Sequence, residues 1–318
     1  MSKKSIFYTT AAIALTIVMF ITYSAYSTYK LSDNANVIQT RIETVNLFIR
    51  GVERDVSKGV IIAGFRTFLS FNDFIADNSV FLGNVSKRFK ESFINGTINN
   101  LPQSLMTNYT FTNWTNKVSK EADKIDIKIN FTINEVKVDQ SDPWFVDVGL
   151  NLSLYVTDKK NTSIWVRNRY FTTKISIMGL KDPLYTFNTS GKINNTIFRT
   201  NITDFVIDTD VTNLMIHTNK YYYIAYNGSP SFLMRFEGNL SNSTFGIESL
   251  TNLDKFLLQG FPLADKSVVD SVYFGTESTT NYRINKTPSW FKLDEEHLEI
   301  YDAANVYCKP SDTVCVTG

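Results

Sequence analysis

Residues 293–302 read LDEEHLEIYD and gather Asp294, Glu295, Glu296, Glu299 and Asp302 around His297, one of two histidines in a chain of 318 residues. Carboxylates beside an imidazole are the raw material of a metal site or of acid–base hydrolysis. The spacing speaks against both. No second histidine stands four residues away, as in the helical zinc proteases, and an acidic run beside a strand is ordinarily a solvated face. His217, in LMIHTNKYYY, has apolar and aromatic neighbours and reads as a packed histidine. No Gly-x-Ser-x-Gly elbow occurs, NGSPS at 227–231 is a turn, and no phosphate-cradling loop is present. These residues designate no catalytic group, no cofactor site and no metal ligand.

A second chemistry is written far more often. The acceptor triplet Asn-x-Ser/Thr for N-linked glycans begins at Asn84, Asn95, Asn108, Asn113, Asn130, Asn151, Asn161, Asn188, Asn194, Asn201, Asn227, Asn239, Asn242 and Asn285, which is 14 of 30 asparagines. Chance pairing would give about 6. Asn34, Asn36, Asn46, Asn72 and Asn78, which precede the first triplet, supply none. The excess marks residues from Asn84 onward as a surface exposed to a glycosylation machinery. Cys308 and Cys315, the only two cysteines, lie in YCKPSDTVCVTG around a turn-forming Pro310, Ser311 and Asp312. That spacing suits a local disulfide outside the cytoplasm, contributing about 2 to 3 kcal/mol. Tyr221, Tyr222, Tyr223 and Tyr226 in YYYIAY, with Trp290, are the candidate aromatics for binding a sugar or a protein surface; the competing reading is an aromatic-rich strand.

The elements that must carry these groups follow from composition and period. With 43% apolar and 14% aromatic residues the chain folds, and a formal charge of +1 gives no reason to expect nucleic acid. After a short cytoplasmic start at 1–5, residues 6–26 (IFYTTAAIALTIVMFITYSAY) carry no charge over 21 positions and are long enough to span a bilayer as an uncleaved helix in contact with membrane lipid. The triplets and the basic Lys3 and Lys4 place the N-terminus in the cytoplasm and the body outside.

A helical stalk is expected over 30–80, capped at Ser32 or Asp33. Its apolar stripe Ile38, Ile42, Val45, Ile49, Val52 and Val56 continues through Gly59 and Ala63. The apolar patch Val60–Phe71 is too short for a second crossing and reads as a buried helix face. Strict alternation over 125–133 and 146–156 predicts half-buried strands, with a bulge between Ile133 and Val136 and a third strand over Ile164–Ile177. Asn130 and Asn151 fall on the polar faces of these strands, and Asn161 in a turn.

The predicted class is therefore α+β. A transmembrane helix continues into an amphipathic one, followed by an antiparallel sheet region at 81–180 and a β-rich lobe at 181–318. In that lobe VVDSVYFG, SWFKLD and LEIYDAANVYC read as strands, and Glu248–Gly260 as a short helix.

The order of a basic MSKK start, an apolar helix, an amphipathic continuation, an antiparallel sheet and a terminal disulfide resembles type IV pilin-like proteins. That resemblance implies a helix that anchors the subunit and packs in a filament core. The chain departs from that pattern twice: Ser5 follows Lys4 where a small-residue prepilin cleavage signal would be expected, and the glutamate usual near the start of the pilin helix is missing. TRIETVNLFIRGVERD, GLKDPLY, PSFLMRFEG and FGIESLTNL are similar to uncharacterised membrane-anchored archaeal surface proteins, which implies an archaeal cell-surface setting.

The leading expectation is a single-pass surface glycoprotein with a structural or adhesive role and no enzymatic activity, partnered by itself or by other surface proteins. An extracytoplasmic ligand- or glycan-binding module is the alternative, and a secreted hydrolase centred on His297 comes third.

Overall fold

The structure, a computed structural model, describes residues 3–159, 163–276 and 278–308, with residues 3–14 and 31–36 as backbone only. It is a mixed α and β protein. Its spine is α1 (Lys3–Asn78), an unbroken helix of 76 residues that extends about 114 Å at 1.5 Å per residue. No glycine or proline occurs before Gly51, so nothing interrupts it. Ser32 and Asp33 consequently lie inside the helix and not at a helix start, which corrects the cap expected there.

Burial divides α1 in two. From Leu15 to Tyr29 the apolar side chains face outward, Phe20 and Tyr23 each at 73% exposure. The hydroxyls of Thr22 and Thr28 donate back to the carbonyls of Val18 and Ser24, both at 2.9 Å. The amphipathic stripe then changes character along its length. Ile38 is 53% exposed and Ile42 37%, whereas Val45, Ile49, Val52, Val56, Val60 and Ala63 are buried in the head. The segment Val37–Asn78 is itself long and apolar enough to cross a membrane, but it is mostly buried inside the protein and serves as the core helix of the head. Two glycines let neighbours approach it closely. A Cβ at Gly59 would lie 2.8 Å from the Trp114 ring, and one at Gly64 would lie 2.3 Å from Ile175 Cδ1.

After α1 come α2 (Val85–Asn95), the small hairpin β1 (Thr97–Ile98) and β2 (Leu101–Pro102), and α3 (Phe111–Lys124). The first part of the expected sheet region is thus largely helical. Asn84 caps α2 by accepting from the Lys87 amide, and Gly96 ends it at φ 75°. Thr110 and Asn113 form a reciprocal capping box on α3. The sheet proper is a meander of β3 (Ile127–Asp142), β4 (Phe145–Asp158) and β5 (Ile164–Ser176). Val146, Val148, Leu150, Leu152, Leu154 and Val156 point from β4 to the core, and the register shifts between Ile133 and Glu135, where the phase of the sequence slips.

Beyond the sheet the chain runs through α4 (Pro183–Asn188), β6 (Phe198–Arg199), α5 (Thr212–Lys220), β7 (Tyr222–Ala225), α6 (Phe232–Glu237), β8 (Ile247–Ser249), α7 (Leu253–Leu258), α8 (Asp270–Phe274), β9 (Asn281–Ile284), β10 (Lys292–Asp294), α9 (Glu295–Ile300) and β11 (Tyr307–Cys308). This lobe is not β-rich. Strands of two to four residues alternate with helices of five to nine, VVDSVYFG holds α8 in place of a strand, and only the middle of Glu248–Gly260 is helical. The lobe shares a core with the head through Tyr223, Phe232, Phe236 and Ile247. Rings link the layers: Phe68 of α1 lies 5.3 Å from Phe89 of α2 and 5.6 Å from Phe232 of α6.

The partition of the α1 stripe gives a direct test. Ile49→Asp places an unpaired carboxylate in the core at a cost of several kcal/mol, a large share of the stability of an ordinary domain. In thermal melts of the full chain in detergent, Ile49→Asp should lower the midpoint of the head sharply, whereas Ile38→Asp should leave it nearly unchanged. Equal melting of the two variants would refute the partition.

Candidate functional site

Polar side chains converge in the core of the distal lobe. Arg235, from the apolar run FLMRF on α6, has no solvent access. Its Nη1 donates to Asp182 Oδ2 at 2.6 Å and to Asp270 Oδ2 at 2.9 Å, and its Nη2 donates to Asp270 Oδ1 at 3.2 Å and to the carbonyl of Ile247. Asp182 also accepts from Tyr223 Oη at 2.8 Å and, as the cap of α4, from the Leu184 amide at 2.8 Å. Ser249 gives Asp270 both its amide and its hydroxyl, at 3.0 and 2.8 Å. With every polar group of the guanidinium aimed at a fixed acceptor, this is structural wiring.

Next to it lies the cluster centred on His297. His297 and Asp294 turn inward from the start of α9, while Glu295, Glu296 and Glu299 stay exposed. Nδ1 of the imidazole is 2.6 Å from Asp294 Oδ1, and Nε2 is 3.2 Å from Oε2 of the buried Glu248. Glu248 accepts further from Ser229 Oγ at 2.6 Å and Tyr301 Oη at 2.9 Å. Tyr226 donates its hydroxyl to Glu296 and stands edge-on to the His297 ring at 5.5 Å between centroids. Burial opposes a charge on His297, but the hydrogen bonds to Asp294 and Glu248 and their negative charges outweigh it, pushing the group up to about 10. Burial likewise tends to raise Asp294; the bond to His297 and its charge prevail and hold it below the usual range. Both ring nitrogens are occupied by carboxylates, and Ser229 donates to Glu248, so the cluster presents no imidazole–hydroxyl pair of hydrolase form.

The other sequence candidates scatter. His217 is buried against Phe205 and Tyr301, with no hydrogen-bond partner on either nitrogen, and burial pushes it down to about 4. Tyr223 is in the core and Tyr221 is buried beneath the Lys255 ammonium, 4.0 Å from its ring centroid. Tyr222 is half-buried near His217, Tyr226 serves Glu296, and Trp290 donates to Asp254 at 2.8 Å. Among the described residues no ring contact joins any two of these five aromatics.

The acceptor asparagines behave as a set. Ten of the thirteen described are exposed; Asn113, Asn151 and Asn285 are half-buried. The buried asparagines Asn72, Asn195 and Asn252 begin no triplet. On the outer face of the sheet the amide of Asn134 donates to Asn151 Oδ1 at 3.1 Å and to Ser153 Oγ at 2.8 Å, bracketing one triplet from the bulge. Asn161 and the expected Cys308–Cys315 bridge lie outside the described residues, the latter because Cys315 does.

No known family, characterised protein or solved structure matches the chain. Sequence reasoning missed the Asp182–Arg235–Asp270 network and Glu248. The one local sign was a charge in the middle of FLMRF, because the partners stand 53 and 35 residues away.

The two histidines should shape stability in opposite directions. The folded pKa of His297 is raised, so its contribution is full below about 6.5 and is lost as pH rises toward about 10. His217 is depressed, so its burial becomes costly as pH falls from about 6.5 toward about 4. In urea melts with a chelator present, His297→Gln should flatten the alkaline fall in stability, and His217→Phe the acid fall. A wild-type curve matched by both variants from pH 4 to 10 would contradict this assignment.

Proposed function

We propose that the chain is a single-pass, membrane-anchored cell-surface glycoprotein whose head works by structural or adhesive contact. The observation that carries this reading is the sorting of asparagines, in which acceptor triplets sit outside the core and buried asparagines lack them. A chain that meets the glycosylation machinery needs its acceptors exposed, and the excess of triplets from Asn84 onward gives that exposure a use. The outward apolar side chains of α1 support the anchor at 6–26. The back-bonded Thr22 suits it as well, because polar groups in a hydrocarbon layer must be satisfied within the helix.

The glycan-free spine supports self-association or contact with other surface proteins. α1 carries no acceptor triplet, yet exposes Leu47, Ile61 and Ile62 along the head. A helix that enters a head beneath an antiparallel meander is in keeping with a pilin-like subunit in an archaeal setting. A glycan-binding role for Tyr221, Tyr222, Tyr223, Tyr226 and Trp290 has less support, since each ring already has its own neighbours or bonds. The balanced charge gives nucleic acid no purchase.

Two measurements on native material test the proposal. Glycan mapping by mass spectrometry should find occupied sites among Asn130, Asn151, Asn239 and Asn242; a wholly bare chain would sink the reading. In inverted membrane vesicles, with the cytoplasmic face outward, added protease should spare the head, and digestion of the head there would reverse the orientation.

A further inference from the structure

We propose that Asp294, Glu296 and His297 form a binding site for a divalent transition-metal ion of the zinc class, with Glu248 orienting the imidazole. Three observations converge on it. One ligand atom from each of the three residues lies within 4.8 Å of the other two. Oδ2 of Asp294 is buried without a hydrogen-bond partner, an arrangement that a cation would relieve and that is otherwise costly. Finally, Nε2 faces Glu248 at 3.2 Å, with Glu248 itself fixed by Ser229 and Tyr301, which is the outer carboxylate that orients a metal-bound histidine; Nδ1, bonded to Asp294 at 2.6 Å, is the nitrogen the ion would take over.

The donor set chooses the ion. One imidazole nitrogen with carboxylate oxygens suits zinc and its neighbours better than calcium or magnesium, which prefer oxygen-only shells. Ligand atoms around tetrahedral zinc stand about 3.3 Å apart, given bonds of about 2.0–2.1 Å, so a small inward movement of the exposed Glu296 completes the set. Tyr226, which donates to Glu296, limits where that carboxylate can swing. The proton shared between Nδ1 and Asp294 passes to solvent as the ion takes its place. Three protein ligands leave a fourth position on the solvent side, where Glu296 is exposed. That position is open to water or to a donor from a bound molecule.

The test uses the full chain in detergent, stripped with a chelator and titrated with zinc chloride by calorimetry, with thermal melting in parallel. One zinc per chain should bind saturably and raise the melting midpoint. Glu296→Gln, an exposed change that leaves the buried bonds of His297 intact, should weaken binding tenfold or more. Glu295→Gln, its exposed neighbour, should not. Absence of saturable binding near one ion per chain, or equal affinity in the two variants, would overturn the proposal.

Discussion

A guanidinium without access to water must find its counter-charges inside the chain, and Arg235 takes them from two segments remote in sequence. Asp182 starts α4, whose Thr186 hydroxyl donates to Asn72 Oδ1 of α1 at 3.2 Å, while the Asn72 amide donates to the Lys181 carbonyl at 3.1 Å. Asp270 starts α8 and grips Ser249 of β8. One side chain therefore fixes α4, α6, α8 and β8 relative to each other, and through Asn72 fixes all of them to the spine. Removing the cation would leave two buried carboxylates unpaired, a loss of about 3 to 5 kcal/mol for such a break. The short elements of the distal lobe could not hold their places by their own hydrogen bonds.

That dependence explains which parts of the fold were legible in the sequence. β3, β4 and β5 run for 13 to 16 residues, long enough for alternation to declare their faces and even the slip at Ile133. The α1 stripe repeats often enough to be unmistakable. α2 and α3 were hidden because their apolar faces are brief, Val85, Phe89 and Phe93 on one and Phe111, Thr115 and Ala122 on the other, although the Thr110–Asn113 box was a local sign. In the distal lobe a strand of two residues has no period to read. The site was half visible. Glu295, Glu296 and Glu299 are solvated, as an acidic run predicts, but the inward turn of Asp294 and His297 depends on Glu248, which lies 49 residues upstream.

The acceptor triplets and the His297 cluster occupy different stretches of the chain. Potential glycans clothe the head, including the outer face of the sheet, and spare α1 entirely. The His297 cluster lies in the lobe that follows the sheet, with Glu296 exposed, Tyr226 half-buried, and Asp294 and His297 buried.

The continuity of α1 also has a mechanical side. Residues 27–44, between the proposed span and the first buried valine, contain no glycine or proline, so they act as a stiff lever about 27 Å long. Spanning helices commonly lean about 20° from the membrane normal, and over that lever a lean of this size carries the base of the head about 9 Å sideways. The head cannot reorient freely on a swivel. In the proposed anchored arrangement its heading would be set by how the N-terminal end of the helix sits in the lipid, and a sideways pull on the head would be delivered as torque to the bilayer.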